Sequence, residues 1–202
     1  MAELYAIVGT MERARFMLAS GVPYLQLRCK DRPLLPHRAE IEEWGARHPF
    51  TRVIINDDLA LAVSLGAWGV HLGQEDLLRY PVATLRDAPL KVGVSTHSDE
   101  DIKRAMACNP AMLGFGPVFP TTTKQVGHDP QGVRRLRRVV TRSALPIIAI
   151  GGINGGNLAD VTATGVALVA MISYLDRFSE LDALRAWMAR WADQSYTTER
   201  KP

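Results

Sequence analysis

The sequence predicts a single-domain (β/α)8 barrel, and three observations lead to this fold class. Short runs rich in Val, Ile and Leu recur at regular intervals, and between them the apolar residues follow a helical spacing. Strand-like and helix-like segments alternate in this way eight times. No linker or low-complexity tract interrupts the series. Alternation of this kind is typical of parallel sheets, and eight units in one domain favour a closed barrel over an open doubly wound sheet.

The elements follow one another in order along the chain. The predicted strands are 4–8, 24–28, 52–56, 68–73, 90–95, 112–116, 146–152 and 167–173. The predicted helices are 11–20, 36–47, 58–65, 77–87, 98–107, 130–142, 154–164 and 179–194. Pro81 is expected to break the fourth helix, because proline lacks an amide hydrogen and clashes with the preceding turn. One domain is expected over 1–202, with about 196–202 as a flexible tail.

Composition excludes several classes of protein. Cys29 and Cys108 are too few for a disulfide scaffold or a cysteine zinc site. The apolar stretch 165–175 is too short to span a bilayer, and the first residues do not resemble a secretory signal, so a cytoplasmic protein without membrane contact is expected. The basic segment 132–142 lacks interleaved aromatic residues, so no nucleic-acid partner is expected. A net charge of +3 only weakly favours anionic ligands.

The stretch LQLRCKD, residues 25–31, places polar side chains in a predicted strand. Gln26, Arg28 and Lys30 alternate there with Leu25, Leu27 and Cys29. Side chains two positions apart share one face of a strand. The apolar set is expected to contact the helices, which leaves the amide and the two cations facing the barrel interior. Buried cations need compensation, so this row predicts a bound anion.

Other residues that could contact a ligand also fall where predicted strands end, and a barrel forms its active site at those ends. They are Asn56, Asp57, Gln74, Asp76, Ser95, Thr121, Thr123, Lys124, Gly151, Gly152, Ile172 and Ser173. Singly, each has a structural explanation; either aspartate, for example, could cap a helix. As a group they predict two anion sites. In one site, carboxylates would bind Mg²⁺ and basic side chains would bind the anion directly. The other site is built from backbone amides.

The motifs LQLRCKD, IINDD, GVHLGQED, GVSTH, GFGPVFPTTTK…PQG and AIGGI occur in the order and near the spacing of one family. Over nearly the whole chain, the sequence resembles thiamine phosphate synthase, also called thiamine-phosphate pyrophosphorylase. The resemblance implies a transferase of thiamine biosynthesis that moves an alkyl or aryl group other than methyl. It condenses 4-amino-2-methyl-5-hydroxymethylpyrimidine diphosphate with a thiazole phosphate, or its carboxylated form, to give thiamine phosphate and pyrophosphate. The first strand and Trp68 depart from the family pattern.

The resemblance also implies roles for individual residues. Those expected to bind the pyrimidine diphosphate are Gln26, Arg28, Lys30, Asn56, Ser95 and Lys124. Those expected to bind the thiazole phosphate are Thr121, Thr123, Gly152, Ile172 and Ser173. Asp57 and Asp76 are expected to hold one Mg²⁺ per subunit, and the catalytic set is Arg28, Lys30, Ser95 and Lys124. In the implied mechanism, pyrophosphate leaves first and the thiazole nitrogen captures a pyrimidine-methylene cation.

Two alternative functions stay open at this point. A related thiazole tautomerase shares the barrel, but it would have little use for the paired carboxylates and the TTTK loop. A non-catalytic barrel that binds thiamine phosphates would bind its ligand without releasing pyrophosphate. The expected partners are small-molecule substrates, and the sequence leaves open whether the chain also forms a homo-oligomer.

Overall fold

Eight parallel strands close into a barrel, as predicted. The structure is a computed structural model that describes residues 1–30, 33–121 and 129–198. The strands are β1 Glu3–Val8, β2 Tyr24–Leu27, β3 Arg52–Asn56, β4 Gly69–Leu72, β5 Lys91–Thr96, β6 Met112–Phe115, β7 Ile147–Ala149 and β8 Leu168–Met171. Each strand pairs with the next in chain order, and β8 closes the barrel by pairing with β1. All carboxyl ends therefore meet at one mouth.

Helices connect the strands on the outside. In the described ranges they are α1 Met11–Ser20, α2 Arg38–Arg47, α3 Leu59–Ser64, α4 Gln74–Leu77, α5 Val82–Arg86, α6 Asp99–Met106, α7 Gly132–Arg142, α8 Leu158–Thr162 and α9 Leu181–Thr198. The predicted fourth helix, 77–87, had the wrong bounds. It is two short helices, and Pro81 stands directly before the second, as its missing amide hydrogen requires. The backbone of α9 runs through Thr198, and 199–202 of the predicted tail lie outside the described residues.

The apolar residues form two separate layers. The larger layer lies between the strands and the helices, and Leu25 and Leu27 from β2 are buried in it. The smaller layer fills the inside of the barrel and includes Ile54, Met112 and Ile148. Burying one such side chain stabilises the fold by roughly 1.5–3 kcal/mol. Alternate residues of β2 therefore face the helices, as predicted, and the others face the barrel interior.

A cluster of aromatic side chains fills the barrel at the amino-terminal ends of the strands. Tyr5 stacks on Tyr24 with ring centroids 5.7 Å apart, and Tyr24 meets the edge of Trp68 at 5.8 Å. The guanidinium of Arg52 lies 4.8 Å from the centre of the Tyr24 ring. We call Tyr5, Tyr24, Trp68 and Arg52 the aromatic floor. Trp68, which departs from the family pattern, has a packing role there.

Candidate active site

A cavity of about 1120 Å³ lies at the mouth of the barrel. The predicted site residues that line it are Gln26, Arg28, Lys30, Asn56, Asp57, Asp76, Ser95, Thr121, Gly152, Ile172 and Ser173. Thr123 and Lys124 lie outside the described residues. Pockets for one small molecule usually measure roughly 300–1,000 Å³, so this cavity has room for two substrates. Residues from all parts of the chain thus meet in one site.

Two carboxylates lie side by side at one edge of this cavity. Asp57 follows β3 in a left-handed conformation with φ of 64°, and its backbone N–H donates to the carbonyl of His71 at 2.9 Å. Asp76 lies in α4, where its Oδ2 accepts from the N–H of Gly73 at 2.9 Å. Arg79 lies 3.0 Å from the other oxygen of Asp76. Two loops that follow neighbouring strands therefore hold the pair in place.

The surroundings of Asp57 disfavour its charged form. Partial burial raises the pKa of Asp57, and the charge of Asp76 and a hydrogen bond with it raise it further. The nearby charges of Lys30 and Arg28 act in the opposite direction and lower that pKa. A cation between the two carboxylates would remove their repulsion.

The donor set at this edge fits Mg²⁺, which prefers oxygen ligands. Asp57 and Asp76 could supply one oxygen each. Within the described ranges, no group of three or more His, Cys, Asp and Glu side chains could hold a metal ion. Most ligand positions would then fall to water and substrate phosphates, which is how Mg²⁺ is commonly bound in phosphoryl sites.

A pair of amides lies deeper in the cavity. Gln26 is buried, and its Nε2 donates a hydrogen bond to Oδ1 of Asn56 at 2.6 Å across β2 and β3. This bond fixes the orientation of both amides. It leaves the Gln26 carbonyl and the Asn56 amino group for other partners, since each amide has both donor and acceptor atoms.

Two cations stand above the amides. The backbone N–H of Arg28 donates to the carbonyl of Val8 at 2.8 Å, so the extended backbone continues one residue beyond β2. Lys30 follows two positions later and also lines the cavity. Among the residues that the structure describes, no carboxylate lies within 4.0 Å of either head group. The row 26, 28 and 30 therefore faces the mouth, with both cations available to an anion.

Ser95, at the end of β5, is held from two sides. Its Oγ lies 2.9 Å from Nε2 of His71, and its carbonyl accepts from Nε2 of Gln74 at 2.7 Å. Gln74 is itself fixed by Arg104, which donates to its Oε1 at 2.7 Å. His71 has no predicted role in the site, and Gln74 is not among the residues expected to bind a substrate.

A signal for the His71 position is present in the sequence. Gly93 pairs with His71 in the sheet, and Gly114 pairs with Ser95. A Cβ at Gly93 would lie 2.8 Å from Nδ1 of His71, and one at Gly114 would lie 3.2 Å from its Cε1. Two glycines inside neighbouring strands therefore mark the space that the imidazole occupies.

A glycine pair ends β7 on the opposite side of the mouth. Gly151 and Gly152 have φ of 100° and 64°, so the predicted strand 146–152 ends early, at Ala149. A Cβ at Gly152 would lie 2.4 Å from the carbonyl oxygen of Pro120. Asn157 donates to the Gly152 carbonyl at 3.0 Å. Only glycine fits here, because of both the conformation and the close approach.

The chain is similar to known proteins over most of its length. The family model described as thiamine monophosphate synthase matches residues 4–175, a range that contains every residue placed at the cavity. A thiamine-phosphate synthase of Neisseria meningitidis serogroup A is 36% identical over 94% of both chains. The Escherichia coli O6:H1 thiamine-phosphate synthase is 41% identical over 88% of this chain and 85% of its own.

A solved structure supports the same similarity. The thiamine phosphate pyrophosphorylase of Pyrococcus furiosus superposes with a TM-score of 0.80 at 27% identity, and the match covers 96% of both chains.

In the described part of the chain, no helix has the length and apolar character needed to cross a membrane.

Proposed function

Because the chain belongs to the thiamine monophosphate synthase family and is a transferase of thiamine biosynthesis, we propose that its barrel-mouth cavity joins the pyrimidine diphosphate to the thiazole phosphate. The observation that supports this assignment is the meeting of a carboxylate pair, a row of cations and a glycine pair in one cavity of about 1120 Å³. A tautomerase has little use for the carboxylate pair, and the two curated relatives compared above are synthases.

We assign the deep half of the cavity to the pyrimidine diphosphate. The fixed amides of Gln26 and Asn56 present a carbonyl and an amino group that can pair with an aminopyrimidine ring. Arg28 and Lys30 stand above them and would bind the diphosphate. Ser95 lies on the same side, and Lys124, outside the described residues, is assigned to the diphosphate from its motif alone.

We propose that Asp57 and Asp76 hold one Mg²⁺ ion beside the diphosphate. When bound, the ion would supply positive charge to the leaving oxygens. The raised pKa of Asp57 beside Asp76 supports this assignment, because two adjacent carboxylates are costly without a cation. Arg79 already neutralises part of the charge of Asp76, at a distance of 3.0 Å.

We propose a dissociative reaction, in which the bond to pyrophosphate breaks before the new bond is well formed. The electron-rich aminopyrimidine would carry the resulting methylene cation, and the thiazole nitrogen would then capture it. Arg28 and Lys30 would stabilise the charge that develops on the departing diphosphate. Such a route needs no protein nucleophile, so Ser95 would act by hydrogen bonding.

We assign the other side of the mouth to the thiazole phosphate. Gly152, Ile172 and Ser173 lie there at the ends of β7 and β8, the usual position of a phosphate site in this barrel. Thr121 lines the same cavity, and Thr123 is assigned from its motif, outside the described residues. Cytoplasmic location and the absence of a nucleic-acid partner stay predictions of the sequence, which leaves the oligomeric state open.

Replacing Gly152 by Ala is expected to lower the free energy of unfolding and to weaken binding of the thiazole phosphate. The added Cβ would lie 2.4 Å from the carbonyl of Pro120, in a backbone with φ of 64°. Strain of this kind costs about 1–3 kcal/mol. Chemical denaturation measures the change in the free energy of unfolding. The KM for the thiazole phosphate, measured with saturating pyrimidine diphosphate, should rise while the KM for the pyrimidine diphosphate changes little.

Gly45→Ala is the matched control, because Gly45 lies in α2 and a Cβ there would meet no atom within 4 Å. It should stabilise the protein slightly, since alanine is the better helix former. A Gly152→Ala protein with unchanged stability and an unchanged KM for the thiazole phosphate would contradict the assignment of this side of the mouth.

Pyrophosphate release tests the proposed function directly. Release and thiamine phosphate formation are expected in equal amounts when both substrates and Mg²⁺ are present. Omitting the pyrimidine diphosphate should abolish release, and removing the metal with a chelator should strongly reduce it. Isomerisation of a thiazole without pyrophosphate release would favour the tautomerase alternative instead.

A further inference from the structure

A second cavity, of about 610 Å³, lies outside the barrel beside the catalytic cavity. We call it the outer groove, and its walls include Gly155, Tyr174, Arg177, Trp187, Arg190 and Trp191. They come from the loop after β7, the segment after β8 and the helix α9. Of the residues assigned to the substrates or the metal, none that the structure describes lines this groove.

The outer groove has an aromatic wall. The ring of Trp187 lies 5.6 Å from that of Tyr174 and 5.5 Å from that of Trp191, with tilted planes. Tyr174 packs closely against Gly155, where a Cβ would lie 2.3 Å from the tyrosine Oη. The loop that contains Gly155 thus packs against Tyr174 and restricts the movement of its ring. Trp191 is buried behind Trp187, while Trp187 and Tyr174 are partly exposed, and such rings are suited to stacking with a planar aromatic ligand.

The outer groove also carries positive charge. Arg177 and Arg190 line it, and both side chains are exposed. The guanidinium of Arg177 lies 5.1 Å from the centre of the Tyr174 ring, which holds it against the aromatic wall. Among the carboxylates whose side chains the structure describes, none lies within 4.0 Å of either arginine. Two exposed guanidinium groups on one groove favour a phosphate or another anion.

The outer groove is large enough for a small ligand and lies next to the catalytic cavity. The volume falls within the roughly 300–1,000 Å³ of small-molecule pockets. Asn154 and Tyr174 line both this groove and the catalytic cavity, so the two share a wall. Hydrogen bonds order the shared loop, since Oδ1 of Asn154 accepts from the N–H of Gly156 at 2.8 Å.

We infer that the outer groove binds a heteroaromatic phosphate monoester, separately from the substrates in the catalytic cavity. The ring of this ligand stacks on Trp187 and Tyr174, and its phosphate binds Arg177 and Arg190. Two sources share this chemistry: the thiamine phosphate that the enzyme itself forms, and a nucleoside monophosphate. The inference does not depend on how substrates are assigned within the barrel mouth, because it concerns different residues.

Calorimetric titration distinguishes the two sources. Thiamine phosphate and adenosine monophosphate are titrated separately into the wild type, into the double variant Arg177→Gln/Arg190→Gln and into Trp187→Leu. If the product is the ligand, wild type binds two equivalents of thiamine phosphate, one in each cavity, and the double variant keeps one. If a nucleotide is the ligand, wild type binds one equivalent of adenosine monophosphate. The double variant should weaken groove binding by at least about tenfold, the effect of losing a charge-assisted hydrogen bond. Trp187→Leu should weaken it by about tenfold through loss of ring stacking.

Arg138→Gln is the matched control, because Arg138 is an exposed arginine of α7 that does not line the groove. It should leave all binding unchanged. Steady-state turnover in the double variant, expected at the wild-type rate, verifies that the protein is folded and its catalytic cavity intact. The inference is overturned if neither probe binds beyond a single catalytic-site equivalent of thiamine phosphate. It is equally overturned if binding at the extra site is the same in wild type and both variants.

Discussion

Replacing Asp57 by Asn is expected to lower the rate of thiamine phosphate formation by at least about a thousandfold. A metal ion on a departing diphosphate contributes several kcal/mol, and about 1.4 kcal/mol corresponds to a tenfold change in rate. Asparagine is the appropriate replacement because it tolerates the left-handed backbone at this position, where φ is 64°. Initial rates measured over a range of Mg²⁺ concentrations provide the test.

The same variant should be more stable than the wild type when no metal is present. Burial and the adjacent Asp76 raise the pKa of Asp57, which means that folding disfavours its charged form. A neutral amide removes that cost at neutral pH. Mg²⁺ should therefore raise the melting temperature of the wild type and leave that of Asp57→Asn nearly unchanged.

Asp58→Asn is the control one residue along the chain. The Asp58 carboxylate caps α3 by accepting from the N–H of Leu61 at 2.8 Å, and asparagine caps a helix equally well. It should keep the wild-type rate and the wild-type response to Mg²⁺. Normal turnover by Asp57→Asn at limiting Mg²⁺ would show that this carboxylate does not hold the metal.

Replacing Arg28 by Leu is expected to reduce turnover by at least about a hundredfold, the usual cost of losing one strong electrostatic contact in a transition state. The loss should fall mainly on kcat, because negative charge on the diphosphate grows as its bond breaks. Stability should be unchanged or slightly higher, since an inward cation is costly without its anion. Steady-state kinetics measure the loss of kcat, and thermal denaturation measures the change in stability.

Two further variants test whether the effect of Arg28→Leu is specific to this position and to the shape of the guanidinium. Arg28→Lys keeps the charge but loses the forked geometry, so it should recover part of the lost rate. Arg47→Leu removes an exposed arginine of α2 that pairs with Glu43 at 2.7 Å, and it should change turnover little. An Arg28→Leu protein that is less stable but turns over normally would mean that this arginine has a structural role.

The fold could be predicted from the sequence because its signals are local and repeated. Apolar runs such as 90–95 and 146–152 mark strands by their own composition, and the count of units selects the barrel. The row at Gln26, Arg28 and Lys30 could be placed for the same reason, since a strand fixes which side chains share a face. The positions at which the predicted strands end then indicated most of the residues that line the catalytic cavity.

Other features depend on contacts between distant segments, and no local pattern reveals those. The outer groove forms where α9 lies beside the loop after β7, and no motif or periodicity in the sequence indicates that contact. Its rings, Tyr174 and Trp187, look like ordinary core residues in the sequence. The hydrogen bond between His71 and Ser95 joins two strands. The early start of α4 follows from the hydrogen bond between Gly73 and Asp76, which composition alone does not indicate.

The aromatic floor has a consequence for the order of events in a catalytic cycle. The catalytic cavity reaches down to Tyr5, and the stacked Tyr24 lies beneath that ring, so in the described part of the chain the aromatic floor closes the lower end of the lumen. On the assignment above, the pyrimidine sits by the buried Gln26, while Ser173 at the rim is exposed. The pyrimidine diphosphate must then enter before the thiazole phosphate, in a compulsory sequence. A thiazole phosphate that arrives first would obstruct the route inward from the mouth, which makes excess of the second substrate inhibitory.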